Sequence, residues 1–179
     1  MIEAAVGLGA NLGAPEAAFV RARRELASTP GVIVRAASSV WRTAPWGVVD
    51  QPDFLNGVLI LDTTLTPERL LEVLQEIEAE EGRERKEKWG PRVLDLDLLW
   101  VGREVRDTPE LTLPHPLLAE RSFVLEPAAE VAPRWMHPLT GTSIERMRQA
   151  LHGSREWTSC TKIPDSRVGL SLPVITCQS

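Results

Sequence analysis

Two aspartates, Asp95 and Asp97, stand one residue apart among leucines in the stretch WGPRVLDLDLLW, residues 89–100. In an extended strand alternate side chains share a face, so we expect both carboxylates on one face and the leucines on a buried one. Carboxylates roughly 7 Å apart repel each other, and a cation would offset that repulsion. One or two carboxylates that share a partly hydrated ion with phosphate oxygens are typical of a Mg²⁺ site. A half-buried strand with a solvated acidic face is the alternative.

Basic and aromatic side chains flank the aspartates along the sequence. Guanidinium groups bind phosphates, aromatic rings stack on flat heterocycles, and an asparagine amide can both donate to and accept from a heterocycle edge. Residues with these abilities are Arg83, Arg85, Trp89 and Arg92 before the aspartates, Asn56 further upstream, and Arg121 and Phe123 downstream, beside His115. A mixed-charge loop is usually just solvated, and a lone histidine is more often structural than catalytic. Together, however, these residues favour a site for a triphosphate and a flat ring.

The composition limits the classes of protein to which the chain can belong. Its length of 179 residues suits one domain, and 43% hydrophobic with 25% charged residues is typical of a globular protein. A net charge of −5 argues against general nucleic-acid binding. No stretch approaches the ~20 apolar residues of a membrane span, and the first residues do not resemble a signal peptide. We therefore expect a cytoplasmic protein with neither nucleic-acid nor membrane partners.

The hydrophobic pattern predicts strands and helices in the order β-α-β-β-α-β. Strands are expected over residues 3–11, 31–44 and 54–65 and at the aspartates, with helices from Pro15 to about Ala27 and from Thr66 to Gly82. This order is that of a ferredoxin-like α+β fold, with two helices on one face of the sheet and the other face free for ligands. A hairpin and two shorter helical stretches are expected after the aspartate strand.

The last residues differ in character from the rest of the chain. From Ser154 onward the sequence has no sustained helical period. We expect a single domain over residues 1–153 and a poorly ordered or non-family tail over residues 154–179. Removal of the tail is expected to leave activity largely unchanged.

Four motifs follow one another along the chain. They are T-x-P-x-G-x-x-x-Q-x-D-F-L-N at residues 43–56, I-E-x-x-x-G-R-x-R at 77–85, W-G-P-R-x-L-D-L-D at 89–97 and P-H-x-x-x-x-x-R-x-F at 114–123. In these motifs the chain resembles the 6-hydroxymethyl-7,8-dihydropterin pyrophosphokinases of folate biosynthesis, from about Val6 to Leu151. The resemblance implies transfer of the β,γ-pyrophosphoryl unit of ATP to the hydroxymethyl group of a reduced pterin, with release of AMP.

The resemblance also implies roles for individual residues. Asp95 and Asp97 would hold two Mg²⁺ ions, and catalysis would depend on them together with Arg83 and Arg92. The residues implied to bind ATP are Glu78, Arg83, Arg85, Trp89, Arg92, Leu98, Thr112, His115 and Arg121. Those implied to bind the pterin are Thr43, Pro45, Gly47, Phe54, Asn56, Trp89 and Phe123. The expected partners are ATP and the reduced pterin, bound by a monomer or weak dimer.

The charged loop RERKEKWGPR, residues 83–92, carries two of the implied catalytic arginines. It has few apolar residues that could anchor it. We therefore expect a long catalytic loop that is mobile without ATP and closes over the nucleotide to exclude water.

Two other functions fit parts of the same pattern. A nucleotidyltransferase also uses a D-x-D metal pair, but it releases pyrophosphate and leaves AMP on the acceptor. A ferredoxin-like sheet can also act as a non-catalytic ligand-binding module. The released product separates the two enzymes, and a non-catalytic module would tolerate Asp97→Asn.

Overall fold

The computed structural model of the chain describes residues 1–45, 51–82, 92–154, 157–164 and 166, and the fold is that of these residues. The helices are α1 (Pro15–Ser28), α2 (Pro67–Glu80), α3 (Ser122–Val131) and α4 (Ile144–His152), with a short 3₁₀ turn at Leu118–Glu120. The strands are β1 (Ile2–Ala10), β2 (Val32–Ala37), β3 (Trp41–Thr43), β4 (Phe54–Thr63), β5 (Asp95–Val101), β6 (Arg106–Asp107), β7 (Thr112–Leu113) and β8 (Cys160–Lys162). Among these residues, no helix has the length and apolar character needed to cross a membrane.

Within the described residues, six strands form one antiparallel sheet. The order is β5-β1-β4-β3-β8, and β2 pairs with the second half of β4. The strand with the two aspartates, β5, therefore lies at one edge, next to β1. β6 and β7 form a separate two-stranded hairpin, as predicted. The sheet and its helices have the α+β architecture expected from the sequence.

Helix α2 forms where several local signals coincide. The side chain of Thr66 accepts a hydrogen bond from the Arg69 N–H at 3.3 Å, and Pro67 stands at the start of the helix, where a missing N–H costs nothing. Apolar residues at helical spacing face the sheet and are buried. Just after the helix, Gly82 has a φ of +81°, which side-chain-bearing residues rarely adopt. Both predicted ends of the helix are confirmed.

Each face of the sheet has its own core. On the first face, α1 and α2 cover the strand residues that alternate with the site residues along the chain. Among them are Val6 and Leu8 of β1 and Leu96 of β5. On the second face, α3 and α4 cover a smaller cluster that includes Ala5, Val58, Ile60, Leu99 and Trp100. The expectation that the second face is entirely free is therefore wrong. Its apolar half is covered, because the stretch around Val124 and Leu125 has its own apolar surface to bury.

The single strand expected over residues 31–44 is in fact two strands, β2 and β3. Between them, the Ser38 N–H donates to Val58 O at 2.9 Å, and Ser38 Oγ accepts from the Val58 N–H at 2.9 Å. One serine thus satisfies both backbone groups of a β4 residue where regular pairing is interrupted. The hydrophobic pattern of a sequence does not indicate where a side-chain hydroxyl will replace a backbone hydrogen bond of the sheet.

Residues 157–164 are folded against the sheet and α4. β8 pairs antiparallel with β3, and the ring of Trp157 stacks on His152 with centroids 3.5 Å apart. The expectation of a poorly ordered tail is therefore wrong for residues 157–164. A strand of three residues is too short to produce a recognisable alternation in the sequence.

Candidate active site

Three residues from neighbouring strands form a row at one end of the second face. Gly9 of the central strand β1 is paired with Asp95 of β5 on one side and with Asn56 of β4 on the other. A Cβ built on Gly9 would lie 3.4 Å from Asn56 Oδ1 and 4.0 Å from Asp95 Cβ. The glycine therefore leaves a gap between a carboxylate and an amide. Because adjacent strands are about 4.8 Å apart, the backbones of Asp95 and Asn56 lie roughly 10 Å from each other, and their side chains approach each other over Gly9.

The gap above Gly9 can be tested by filling it. We expect Gly9→Ala to raise the KM for the ring substrate by about tenfold, since its methyl group would stand against the Asn56 amide. Gly7→Ala is the matched control on the same strand, because the three atoms nearest to its Cβ would belong to the Leu99 side chain, at 3.5 Å or more. Steady-state kinetics and melting curves of both variants make the comparison. An unchanged KM in Gly9→Ala would place the ring elsewhere.

The predicted pterin residues Thr43, Phe54 and Asn56 lie together on β3 and β4. Asn56 Nδ2 donates to Thr43 Oγ1 at 2.9 Å, and both side chains are buried. This bond fixes the amide so that its Oδ1 faces the gap above Gly9. Phe54 is paired with Thr43 across the two strands and is half-buried. A buried amide with a fixed orientation is suited to recognise one particular pattern of donors and acceptors.

Each aspartate of β5 is paired with an arginine. The Arg92 guanidinium donates to Asp95 Oδ2, and Arg121 Nη1 lies 3.3 Å from Asp97 Oδ2. Burial and the charge of Asp95 raise the pKa of Asp97, although His115, Arg121 and Arg92 act in the opposite direction. The Asp97 side chain retains 37% exposure, so the site is still open to a cation. The negative charge of Asp97 is therefore unfavourable beside Asp95, and a bound cation would stabilise that charge.

His115 is held in one orientation beside Asp97. Its backbone N–H donates to Leu99 O at 2.8 Å, and its Nδ1 accepts from the Leu117 N–H at 3.1 Å. Because Nδ1 is an acceptor, the ring proton of the neutral form is on Nε2. Burial lowers the pKa of His115, and the nearby Arg121 also lowers it, against the attraction of Asp97. The ring can therefore offer an N–H donor without a full charge.

Two predicted ATP residues, Glu78 and Leu98, have side chains that face away from the aspartates. Glu78 Oε1 accepts from the Leu96 N–H at 2.7 Å, and its side chain is buried. The Leu98 side chain belongs to the core beneath α1 and α2. Any contact of Leu98 with a nucleotide would involve its backbone. Glu78 thus accepts a hydrogen bond from an N–H at the outer side of β5, where the described residues include no further strand, and this bond holds the edge strand in place.

The other predicted site residues fall into two groups. Pro45 and Phe123 are half-buried, Thr112 is exposed on β7, and the Arg121 guanidinium lies 5.6 Å from the Phe123 ring centroid. Arg121 thus links the phosphate and ring sides of the predicted site. The second group lies outside the described residues, together with the predicted mobile loop, and comprises Gly47, Arg83, Arg85 and Trp89.

Asn11 is a central residue that the sequence analysis missed. Its Oδ1 accepts from the Arg92 N–H at 2.8 Å, and its Nδ2 donates to Gln51 Oε1 and Pro52 O, each at 3.1 Å. The Asn11 backbone N–H also donates to Arg92 O at 3.0 Å. One side chain, 5% exposed, therefore joins the ends of three segments. An asparagine after a strand is an ordinary turn residue, so its type gave no signal.

We expect Asn11→Ala to lower kcat about tenfold and the free energy of unfolding by about 2 kcal/mol, because it leaves buried partners unsatisfied. Asn11→Asp keeps the acceptor for the Arg92 N–H but loses both donors, so it should be impaired as well. Gln51→Ala removes one of the two acceptors of Asn11 Nδ2 and serves as the mild comparison. Urea unfolding and steady-state kinetics measure the two effects. Full activity of Asn11→Ala would mean that the bridge does not position Arg92.

The oxygen donors on β5 fit a hard divalent cation. Among the described residues, no group of three or more His, Cys, Asp or Glu side chains could hold a metal. Asp95 and Asp97 are two carboxylates on one face, and Mg²⁺ is commonly held by one or two carboxylates plus phosphate oxygens and water. The site is therefore suited to an ion that arrives with a phosphate ligand rather than to a resident structural metal.

Comparison with known proteins identifies the family. The family model described as 7,8-dihydro-6-hydroxymethylpterin-pyrophosphokinase (HPPK) matches residues 5–133. A 2-amino-4-hydroxy-6-hydroxymethyldihydropteridine pyrophosphokinase of Methylorubrum extorquens is 50% identical over 134 residues, which is 74% of this chain and 84% of that protein. The Synechocystis protein of the same name is 42% identical over 154 residues, covering 86% of this chain and 78% of that one.

Solved structures agree with this assignment at the level of the fold. A crystal structure of HPPK-DHPS in complex with substrates has a TM-score of 0.66 at 11% identity and covers 83% of this chain. Plasmodium falciparum HPPK-DHPS with pteroate has a TM-score of 0.67 at 12% identity, again over 83% of this chain. The chain spans 43% and 42% of those two longer chains. These matches confirm the ferredoxin-like α+β fold, and with the family match they show that the chain belongs to the 7,8-dihydro-6-hydroxymethylpterin-pyrophosphokinase family.

Proposed function

We propose that this chain transfers the β,γ-pyrophosphoryl unit of ATP to the hydroxymethyl group of 6-hydroxymethyl-7,8-dihydropterin and releases AMP, a step of folate biosynthesis. Family membership supports this reaction and does not favour a nucleotidyltransferase or a non-catalytic module. The observation that carries the proposal is the row of Asp95, Gly9 and Asn56. It provides a metal-type carboxylate and a heterocycle-reading amide with a side-chain-free gap between them.

In this proposal the pterin lies over Gly9 with its edge on Asn56. The bond from Asn56 to Thr43 Oγ1 orients the amide before the substrate arrives, which lowers the entropy cost of binding. Phe54 and Phe123 would contact the ring, and Pro45 would shape the pocket. The hydroxymethyl group would then point along the row toward Asp95, where the phosphates are bound.

Asp95 and Asp97 would hold Mg²⁺, and we propose two ions. When bound, the ions neutralise phosphate charge and orient the attacking and leaving oxygens. In the structure, Arg92 forms an ion pair with Asp95, and Arg121 forms one with Asp97. The Arg92 and Arg121 guanidinium groups would contact the phosphate oxygens, which carry the growing negative charge of the transition state. His115, a neutral donor beside Asp97, would add a hydrogen bond on the nucleotide side, where Thr112 also lies.

Such a transfer requires little general-base catalysis. Phosphoryl-type transfer passes through a loose transition state, so positioning and charge stabilisation contribute most of the rate. No nucleophilic side chain is needed, because the substrate hydroxyl attacks directly. The tasks of the protein are to align the hydroxyl with the β-phosphorus and to keep water away from it.

The product test separates the proposed reaction from its rivals. The protein is mixed with ATP, Mg²⁺ and the reduced hydroxymethylpterin, and nucleotides and pterins are separated by chromatography. We expect AMP and pterin pyrophosphate in equal amounts. Free pyrophosphate with an adenylylated pterin would indicate a nucleotidyltransferase, and no turnover would indicate a binding module. We also propose a cytoplasmic location and a monomer or weak dimer, from the composition of the chain.

A further inference from the structure

Residues 157–163, here called the C-terminal segment, lie beyond the family match, which ends at residue 133. We propose that this segment positions the pterin side of the site. This proposal rests on the proposed function, and it assigns a role to residues that the family match does not cover. The pterin side of the proposed site has two ends, Thr43 on β3 and Phe123 on α3.

The C-terminal segment supports Thr43 through strand pairing. Cys160 is paired with Thr43, and Lys162 with Trp41, at the outer edge of the sheet. The Ile163 N–H continues this alignment by donating to Val40 O at 3.1 Å. β3 has only three residues, and a strand this short is held in place by its neighbours rather than by its own length. Without β8, the only strand among the described residues with which β3 would pair is β4.

The same segment is tied to the residue that precedes Phe123. Ser122 Oγ donates to Thr158 O at 2.8 Å, and Cys160 Sγ lies 3.3 Å from Ser122 Oγ. Ser122 is 2% exposed, so its hydroxyl has no easy alternative partner in water. Phe123 follows directly in the chain, and its backbone position is therefore linked to the C-terminal segment.

A third connection joins the segment to both elements at once. Lys162 Nζ lies 2.8 Å from Glu130 Oε1 of α3, and Glu130 Oε2 accepts from the Ser39 N–H at 2.8 Å. Glu130 thus holds the connection into β3 with one oxygen and the C-terminal segment with the other. The segment, α3 and β3 form one connected unit behind the pterin side. By contrast, Arg92, Asp95 and Asp97 lie toward the opposite edge of the sheet, on and beside β5.

The pairing of the C-terminal segment with β3 argues against the sequence-based expectation that the tail can be removed without loss of activity, and it predicts a selective defect instead. A chain that ends after Gly153 should bind the reduced pterin about tenfold more weakly, while its affinity for MgATP should change less than about twofold. A chain that ends after Ser166 is the matched control and should behave like the full chain. Calorimetry with a non-hydrolysable ATP analogue present measures the pterin Kd directly, and steady-state kinetics gives the KM for each substrate. Melting curves verify that each chain is folded.

Several outcomes separate a positioning role from a general structural one. A folded chain ending after Gly153 with unchanged pterin Kd would overturn the inference, and so would an equal loss of affinity for both substrates. If that chain does not fold, the Ser122→Ala variant tests the inference instead, because it removes only the hydroxyl that donates to Thr158 O. We expect its pterin Kd to rise about threefold, and an unchanged Kd would overturn the inference. Absence of AMP formation by the full chain would instead refute the proposed function, which the calorimetric comparison does not use.

Discussion

Asp97→Asn is expected to lower kcat by about a thousandfold or more, which corresponds to roughly 4 kcal/mol of lost transition-state stabilisation. The asparagine keeps the shape of the side chain but replaces a charged oxygen ligand by a neutral amide, and Mg²⁺ prefers hard anionic oxygens. The fold should remain intact. Burial and Asp95 raise the pKa of Asp97, so the folded protein disfavours its charge. Loss of that charge should therefore leave the melting temperature unchanged or raise it by a few degrees.

The matched control for this variant is Asp62→Asn. Asp62 lies on β4 of the same sheet, where it pairs with Arg35 at 3.1 Å, far along the strand from Asn56. Its replacement should change kcat less than about twofold. Single-turnover AMP formation and calorimetric binding of MgATP distinguish lost chemistry from lost affinity. If Asp97→Asn retained more than a tenth of the wild-type kcat, Asp97 could not be a metal ligand.

Arg92→Ala is expected to lower kcat by about 100- to 1000-fold, the usual cost of removing one donor aimed at developing negative charge. The backbone of Arg92 is anchored independently of its side chain, because its N–H and carbonyl are both bonded to Asn11. Truncation should therefore remove the guanidinium group without moving the chain. Arg92→Lys keeps the charge but loses the planar fork, and we expect an intermediate loss of about tenfold.

Arg103→Ala is the control for the loss of one positive charge, since Arg103 is exposed in the turn after β5. Pre-steady-state kinetics at saturating ATP measures the rate of transfer itself. A large rise in the KM for ATP with unchanged kcat would contradict the prediction, because it would mean that Arg92 binds the ground state and transition state equally. Equal activities of Arg92→Ala and Arg92→Lys would show that charge and fork geometry have no separate roles.

Local patterns were sufficient for the elements that carry the site. The alternation around Asp95 and Asp97 correctly predicted a strand whose leucines are buried, since side-chain direction in a strand depends only on position along the chain. The cap at Thr66 and the glycine at residue 82 gave both ends of α2 for the same reason. The motifs around Asn56, Asp95 and Arg121 were sufficient to recognise the family.

Contacts between residues far apart in the sequence could not be predicted from local patterns. The bridge made by Asn11 reaches 41 residues along the chain to Pro52 and 81 residues to Arg92, and neither partner changes the pattern around Asn11. The break between β2 and β3 depends on Ser38 meeting Val58. The pairing of β8 with β3 depends on an edge that exists only once the sheet has formed.

The amino-acid sequence alone therefore determined the fold class, the strand and its two carboxylates, and the family with its reaction. Each of these depends on residue type and spacing over a few positions. Only the tertiary structure decided that Asn56 and Asp95 lie on either side of Gly9, that α3 and α4 cover half of the second face, and that the C-terminal segment pairs with β3. Those features arise from pairing between segments far apart in the chain, and no local pattern specifies which segments will meet.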